Sequence, residues 1–396
     1  MARYLIRQIF SSITKLFVFI TFMFFFIQIM MPGDFVDQFA LFCDSECQET
    51  MRAQFGLDLP IWQRYLQWLR QVVTLDLGES MSGQPIIEVL KDVIPPTLLV
   101  FVTGTAVAFM IGLWLGKRTA WRGPGFISGT ATLGGIALFT SFPPWLAWLV
   151  TYAFARGTGF VVMGGGIGGL RGVTFHGLTR ALWIETEISP AAITFQIMLS
   201  LFASIIIFST LKILVKRVIK REIPGILILI LIAAGAVGGC YYLGIEILAF
   251  DIIKLAWLPT LVFTLLSFGE TMIIMQSSMT DVLKEEYIST AKAKGLPTST
   301  IREKHAARNA ILPVISRLVI SLPYLITGVV IVESSVGWPG MGTSMWNALY
   351  WQNMPLVMNI LLIVGVVALV ARLILDILTA YLDPRIRYSS PQPTTL

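Results

Sequence analysis

The chain has 396 residues, of which 56% are hydrophobic and only 13% are charged, and its mean hydropathy is +0.77. Soluble globular proteins carry about 25% charged residues, so this composition excludes an ordinary soluble domain. The formal net charge is +6, but the basic residues fall between long apolar runs, which favours a membrane protein over a nucleic-acid-binding one.

Eight apolar runs follow one another along the chain, and each is long enough for a helix that crosses a bilayer. They occupy residues 16–33, 93–116, 123–155, 188–211, 223–245, 255–280, 309–332 and 356–382. Because lipid requires every backbone group to be paired internally, the sequence predicts an all-α polytopic membrane protein with eight spans. If both termini are cytoplasmic, most Lys and Arg residues between the spans fall inside, as the positive-inside rule expects.

The segment between the first two runs is predicted to lie outside, and its polarity is mixed. Aromatic and leucine residues recur there at helical spacing and predict an amphipathic helix. These residues are Trp62, Tyr65, Leu66 and Leu69. Cys43 and Cys47 belong to the same segment, and their spacing fits a local disulfide as well as it fits two free thiols.

Two interruptions of helical pattern follow further along the chain. The third run contains Ser141-Phe142-Pro143-Pro144, and this proline pair predicts a kink or an unwound stretch because it interrupts the helical hydrogen bonds. The longest inside segment, 281–310, is polar and basic. A helix is predicted over 282–294, and Gly295 and Pro297 end it.

The sequence lacks the motifs of several enzyme classes. It contains no G-x-x-x-x-G-K-[ST] motif, so we expect no P-loop and no ATP hydrolysis by this chain. Only two histidines occur, without an H-E-x-x-H motif, so a metal site is not expected. With these enzyme motifs missing, the chain is expected to form a pathway across the membrane or to act as a membrane scaffold.

Six motifs carry a family resemblance. They are FGLDLP at 55–60, LDLG at 75–78, EYISTAKAKGL at 286–296, REKHAARNAILP at 302–313, GWPGMG at 337–342 and LDPRIRY at 382–388. This set resembles permease subunits of the oligopeptide, dipeptide and nickel branch of binding-protein-dependent ABC importers, over residues 1–156 and 255–390. Members of that family have six spans, so residues 157–254 look like an insertion of a loop and two further helices.

The resemblance implies an ABC importer type I permease fold in the cell membrane of a bacterium or archaeon. The chain then divides into 1–96, with the first helix and the large outer segment, a permease core at 97–388 and a tail at 389–396. The core includes the insertion 157–254 and a coupling segment at 280–310. The implied partners are a second permease, two ABC ATPases that hold ATP and Mg²⁺, a substrate-binding protein and membrane lipid. No nucleic acid is implied, and no cofactor in this chain.

The same resemblance suggests which residues contact the ATPase, because in the family a short helix ending at the glycine seats in a groove of that subunit. They are Glu286, Tyr287, Thr290, Ala291, Ala293, Lys294 and Gly295. Small alanines let a helix approach a partner closely, and a glycine allows the chain to turn sharply away.

Two further groups of residues are weighed against plain structural roles. Glu270 is an acid within an apolar run. Either it lines the pathway with Ser141 and Pro143 or meets a cationic group of the substrate, or it is a structural residue that is paired or protonated at a helix interface. Arg317 is expected to extend towards the membrane surface and is given no role. The resemblance implies an outer gate or binding-protein docking surface near the end of the seventh run, and a plain turn fits equally well. The residues concerned are Glu333, Trp338, Pro339 and Gly340.

The predicted function is therefore the translocation pathway of an importer for oligopeptides or dipeptides, which works by alternating access. A permease of the same branch for oligosaccharides or nickel is an alternative. A secondary transporter is an alternative of another class, although it requires embedded charges or broken helices in matched halves. A membrane scaffold is a third, although it does not require the coupling segment.

Overall fold

A computed structural model of the protein describes residues 2–30, 36, 44–54, 56–81, 83–158, 189–218 and 224–382. The described chain is helical, and an isolated β-bridge joins Glu79 and Pro85. The helices are α1 (Ala2–Met30), α2 (Ser45–Gln54), α3 (Ile61–Thr74), α4 (Ile86–Arg122), α5 (Phe126–Phe139), α6 (Pro143–Thr158), α7 (Pro190–Val218), α8 (Gly225–Tyr242), α9 (Glu246–Val282), α10 (Glu286–Ala293), α11 (Ala307–Val336), α12 (Met341–Tyr350) and α13 (Met354–Leu382). A short helical turn and the π-helical segment Ile301–Ala306 lead into α11.

Several of these helices are long and apolar enough to cross a membrane. Among the described residues α1, α4, α7 and α9 meet this criterion individually, and α5 with α6 meets it as one bent pair. Shorter apolar helices occur at Leu227–Tyr242 in α8 and at Met354–Val370 in α13. The protein is therefore an all-helical chain with several membrane-crossing helices, as the sequence predicts.

The third predicted span is broken into α5 and α6, which meet at 109°. Thr140, Ser141 and Phe142 separate the two helices, and the Ser141 hydroxyl donates a hydrogen bond to the Leu138 carbonyl at 2.7 Å. Pro143 takes the first position of α6, where its missing N–H leaves no partner unpaired. The predicted interruption at the proline pair is confirmed, and it is a sharp bend.

The bent pair α5–α6 contacts α9 at two widely separated points. The Thr132 hydroxyl donates to Gln276 Oε1 at 2.9 Å, whereas the Phe154 and Trp257 rings are 5.1 Å apart at their centroids. Residues 257 and 276 of one helix are separated by about 28 Å, at 1.5 Å per residue. That distance is close to the roughly 30 Å of hydrocarbon in a bilayer.

Glycines bring α4 and α9 into close contact. A Cβ at Gly112 would lie 2.7 Å from Thr271 Cβ, and one at Gly116 would lie 2.7 Å from Met275 Cβ. The residue numbers at these contacts increase in the same direction along both helices, so α4 and α9 run parallel. Small residues at such contacts are typical of helices packed within membranes.

The other helices pack around this pair. Ser278 donates to the Ala310 carbonyl at 2.9 Å and Ser321 donates to Glu270 Oε1 at 3.0 Å, so α11 runs antiparallel to α9. The helices α7 and α8 form an antiparallel hairpin, in which Gly239 faces Ser200 and Gly235 faces Ser204. The hairpin contacts the remainder of the bundle mainly through α7 and α4.

The predicted amphipathic helix is confirmed as α3. Trp68 is buried against the Phe24 ring of α1 at a centroid distance of 5.3 Å, and the hydroxyls of Tyr65 and Thr21 are hydrogen-bonded at 2.7 Å. Trp62 and Leu66 remain exposed on the opposite face of α3. Such an apolar outer face suits a membrane surface or a protein neighbour.

Candidate coupling helix and pathway residues

The segment between α9 and α11 contains a separate short helix, α10. A helix over 282–294 was predicted, and a helix is confirmed at Glu286–Ala293. Its predicted start was wrong, because α9 ends at Val282 and a turn at 283–285 precedes α10. Gly295 ends α10 as predicted, with a φ of +70° that an L side chain rarely adopts. The turn gives α10 a direction of its own, apart from α9.

The inner face of α10 is buried in an apolar cluster. Ile288 is 0% exposed and Ala291 is 6% exposed, and they join Met275 and Met279 of α9 and Ala307 of α11 in this cluster. Ala291 was predicted to contact a partner, but residues 288 and 291 share one helix face, and that face is turned inwards. Its small side chain instead lets α10 approach the bundle closely.

The other predicted coupling residues are exposed. Glu286, Tyr287, Thr290, Ala293 and Lys294 lie on one side of α10, which we call the α10 outer face, and Gly295 follows it. Asn309 Nδ2 of α11 donates to the Tyr287 hydroxyl at 2.8 Å and so ties this face to the following helix. The α10 outer face therefore combines accessible polar groups with firm attachment to the bundle.

An ion-pair network fastens the start of the α11 region to α4. Lys117 Nζ lies 2.7 Å from Glu303 Oε2, and Arg302 Nε lies 2.9 Å from Glu303 Oε1. Partial burial raises the pKa of Glu303, but the hydrogen bonds and charges of Lys117 and Arg302 outweigh it and lower this pKa below the usual carboxyl value. The network therefore stabilises the junction above the usual carboxyl pKa and is lost as the pH falls through the lowered one.

Glu270 of α9 forms an ion pair with Arg317 of α11. Arg317 Nε donates to Glu270 Oε1 at 2.8 Å, and the Ser321 hydroxyl donates to the same oxygen. Sequence reasoning gave Arg317 no role. The sequence does contain a signal for this pair, because Glu270 and Arg317 lie inside two neighbouring apolar runs and an unpaired charge there is costly.

The Glu270–Arg317 pair lines a groove between α4, α9 and α11, which we call the central groove. Its walls include Thr105, Ser267, Thr271, Ile274 and Val314 in addition to the ion pair. Ser141 and Pro143 are not among its lining residues and lie at the bend between α5 and α6. Glu270 therefore lines the central groove, and the pathway role of Ser141 and Pro143 stays a prediction.

Glu333 and Trp338 lie at the opposite end of α11 from α10, and both are fully buried. The Trp338 indole N–H donates to the Pro96 carbonyl at 3.2 Å. Gly340 is buried and Pro339 is half-buried. Contact of Glu333 or Trp338 with a docking protein is therefore contradicted for this conformation, because neither side chain reaches the surface. An outer-gate role stays a prediction.

The Glu333 carboxylate connects three helices. Its Oε2 accepts hydrogen bonds from the Gly342 amide at 2.8 Å and the Thr97 hydroxyl at 3.1 Å, while Thr97 Oγ1 accepts the Met341 amide at 2.7 Å. These acceptors satisfy the first amides of α12, which have no partner within their own helix. Gly340 packs directly on the carboxylate, since a Cβ there would overlap Glu333 Oε1.

The predicted cysteine pair is only partly described. Cys47 is disulfide-bonded, Cys240 is a buried free thiol, and Cys43 lies outside the described residues. The pairing of Cys43 with Cys47 stays a prediction. Among the described residues, no group of three or more His, Cys, Asp or Glu side chains is placed to hold a metal ion.

Two family models match the chain. The N-terminal model of binding-protein-dependent transport system membrane components matches residues 1–95, and the model of the binding-protein-dependent transport system inner membrane component matches residues 196–388. The chain belongs to this permease family. The permease is thus an integral membrane protein, in agreement with its apolar helices. The second match begins within 157–254, and the boundaries of the inserted segment stay a prediction.

Named relatives are similar to the permease over nearly their whole length. The oligopeptide transport system permease protein AppB of Bacillus subtilis (strain 168) is 29% identical over 394 residues, covering 98% of this chain and 100% of the relative. The dipeptide transport system permease protein DppB of Escherichia coli (strain K12) is 26% identical, with coverages of 98% and 99%. The glutathione transport system permease protein GsiC of Escherichia coli O6:H1 is 23% identical, with coverages of 98% and 100%.

Proposed function

We propose that this permease is the transmembrane subunit of an ATP-binding-cassette importer for oligopeptides or dipeptides, and that α10 couples it to separate ATPase subunits. The observation that carries the proposal is an exposed α10 outer face on a helix whose inner face is buried against α9 and α11. Relatives named for oligopeptide, dipeptide and glutathione transport favour peptides over oligosaccharides or nickel.

The proposed topology has eight spans and both termini in the cytoplasm. Parallel packing of α4 and α9 requires an odd number of crossings between them. In this proposal the bent pair α5–α6, α7 and α8 each cross the membrane once, which gives three crossings. Residues 132 and 154 of the bent pair contact α9 at points about 28 Å apart, a distance close to the thickness of the membrane. The basic residues of the 281–310 segment then face the cytoplasm with α10, as the positive-inside rule expects.

The proposed assembly contains a second permease, two ATPases that bind ATP and Mg²⁺, and an external substrate-binding protein. One feature of the described structure calls for protein or water beside this chain. Arg317 exposes 55% of its side chain at a membrane-spanning helix, and such a charge in contact with lipid is costly. ATP chemistry then belongs to the ATPases, because the sequence contains no P-loop motif.

The proposed coupling route runs from α10 into the central groove. Ile288 and Ala291 belong to a buried cluster that the π-helical segment Ile301–Ala306 shares with the last turns of α9 and the first turn of α11. A displacement of α10 by a closing ATPase dimer would therefore move α9 and α11, because packed interiors transmit strain. These two helices carry Glu270 and Arg317, so movement at the ATPase interface would reach the groove.

The first prediction concerns Ala293, which lies on the α10 outer face at the last position of the helix. Replacing Ala293 with arginine is expected to reduce ATP-dependent peptide uptake by at least about tenfold, because a bulky charge prevents close docking; a tenfold loss is about 1.4 kcal/mol. Uptake is measured with the assembled importer in proteoliposomes. The side chain is exposed, so the permease itself should keep its stability.

The matched control is Thr210→Arg, which adds the same side chain at an exposed position of α7. This variant is expected to retain uptake. Normal uptake by Ala293→Arg would contradict the coupling role of α10, and equal losses in both variants would show that the effect is not specific to α10.

A further inference from the structure

The Glu270–Arg317 ion pair has an unusual environment for a structural contact. Glu270 lies near the middle of the apolar run 255–280, and its partner lies on the neighbouring span. The Glu270 side chain is 19% exposed, whereas that of Arg317 is 55% exposed. A buried structural pair would enclose both charges, but this pair leaves its cationic half open to the central groove.

Lipid cannot be the neighbour of this open charge at low cost. An arginine at the centre of a spanning helix costs about 2.5–3.5 kcal/mol when it is exposed to hydrocarbon. The residues that line the groove also include Thr105, Ser267 and Thr271. Thr105 Oγ1 is buried and has no hydrogen-bond partner within the part of the chain that the structure describes. The groove therefore offers an open cation and several polar side chains beside its apolar wall residues.

We propose that the Glu270–Arg317 pair is exchangeable and binds the two charged ends of a short zwitterionic peptide. Glu270 receives the terminal ammonium group, and the Arg317 guanidinium receives the terminal carboxylate in a bidentate arrangement. The inference rests on the proposed function, because it assigns a substrate class to the groove of that importer. Each charge of the resting pair is replaced by a charge of the same sign, so no unpaired ion is left in the membrane.

The exchange requires the Arg317 guanidinium to move away from Glu270, from which it is separated by 2.8 Å in the resting pair. A dipeptide places its charged ends about 7 Å apart, at 3.3–3.6 Å per residue. Ser321 holds Glu270 Oε1 at 3.0 Å, so the carboxylate keeps one protein partner when the guanidinium leaves. Arg317 is the mobile half, because its side chain is long and more than half exposed. The selectivity expected from this arrangement is for free peptide termini and is independent of the peptide side chains.

A protection experiment tests the proposal on the assembled importer in lipid nanodiscs. Ile274 lines the groove and is half-buried, and it is replaced by cysteine in a chain whose buried Cys240 is replaced by serine. The rate of alkylation at residue 274 is measured with dialanine and with N-acetyl-dialanine amide. Dialanine is expected to slow alkylation several-fold, and the doubly blocked peptide is expected to leave the rate unchanged.

Two charge-neutralising variants separate ligand binding from a structural role. With Glu270→Gln, dialanine and N-acetyl-dialanine should protect equally, because the site for the ammonium is lost. With Arg317→Gln, dialanine and dialanine amide should protect equally, because the site for the carboxylate is lost. A purely structural pair would instead alter the alkylation rate without peptide and would not change preference between these peptides.

Protection by the blocked peptide as strong as that by dialanine would overturn the inference, as would an absence of protection or an unchanged preference in both variants. Peptide uptake by the same importer distinguishes failure of the zwitterion site from failure of the proposed importer function. If ATP-dependent uptake persists without selective protection, the zwitterion site is wrong and the importer stands. If the importer takes up no peptide, the proposed function itself is wrong.

Discussion

Replacing Gly269 with alanine is expected to remove most of the stability of the permease. Gly269 of α9 faces Gly135 of α5, and a Cβ at Gly269 would overlap the Gly135 carbonyl oxygen and lie 3.0 Å from Phe139 Cβ. Because the obstacle is backbone, no side-chain rotation relieves it and the two helices must separate. Overpacking costs about 1–3 kcal/mol where side chains can adjust, so we expect at least the upper end of that range.

Two neighbouring glycines provide graded controls. Gly134 has open space around its Cβ position, so Gly134→Ala should be neutral or stabilise by up to about 1 kcal/mol through helix propensity. Gly135→Ala should be intermediate, because its Cβ would overlap the flexible tip of Met272. Thermal midpoints measured by fluorescence-detected size-exclusion chromatography should be highest for Gly134→Ala, intermediate for Gly135→Ala and lowest for Gly269→Ala. Equal midpoints for Gly134→Ala and Gly269→Ala would show that α5 and α9 are not packed as described.

Replacing Gly342 with alanine should detach α12 from α11. A Cβ at Gly342 would overlap the Val330 carbonyl oxygen and lie 2.7 Å from Val330 Cα, so the first turn of α12 would be displaced. That displacement would also break the hydrogen bond from the Gly342 amide to Glu333. A buried carboxylate that loses a partner costs about 1–3 kcal/mol or more, in addition to the steric cost.

The Glu333 side chain offers an independent test of the same junction. Glu333→Gln keeps an acceptor oxygen and the size of the side chain. Glu333→Ala removes the oxygen that accepts hydrogen bonds from the Gly342 amide and the Thr97 hydroxyl. Thermal midpoints should therefore fall much further for Gly342→Ala and Glu333→Ala than for Glu333→Gln. Gly238→Ala, at a position with open space on α8, is the matched glycine control. The junction is misassigned if Gly342→Ala and Gly238→Ala prove equally stable.

Local patterns in the sequence predicted the features that depend on the chain alone. The proline pair at Pro143 identified the interruption between α5 and α6, because a missing amide breaks a helix in any surroundings. Gly295 identified the end of α10, because only glycine readily adopts its backbone conformation. The recurrence of Trp62 and Leu66 identified α3, because spacing alone sets which residues share a helix face.

Features that depend on contacts between helices were predicted less well. Ala291 was expected to face a partner, but small residues suit any close contact, and its neighbours Met279 and Ala307 lie far from it along the chain. The pairing of Glu270 with Arg317 joins two spans, so no local periodicity reveals it. Trp338 was expected in an outer gate, a docking surface or a plain turn, and its indole is buried and donates a hydrogen bond to the Pro96 carbonyl.

The claim on which the account depends is that the α10 outer face contacts a separate ATPase. The most direct measurement places the photocrosslinker p-benzoylphenylalanine at the exposed Thr290 in the assembled importer, with the same substitution at Thr210 as control. Irradiation is expected to join Thr290, and not Thr210, covalently to the ATPase subunit. An importer that remains active in ATP-dependent uptake but forms no such adduct at Thr290, or forms one with the external binding protein, would contradict the account.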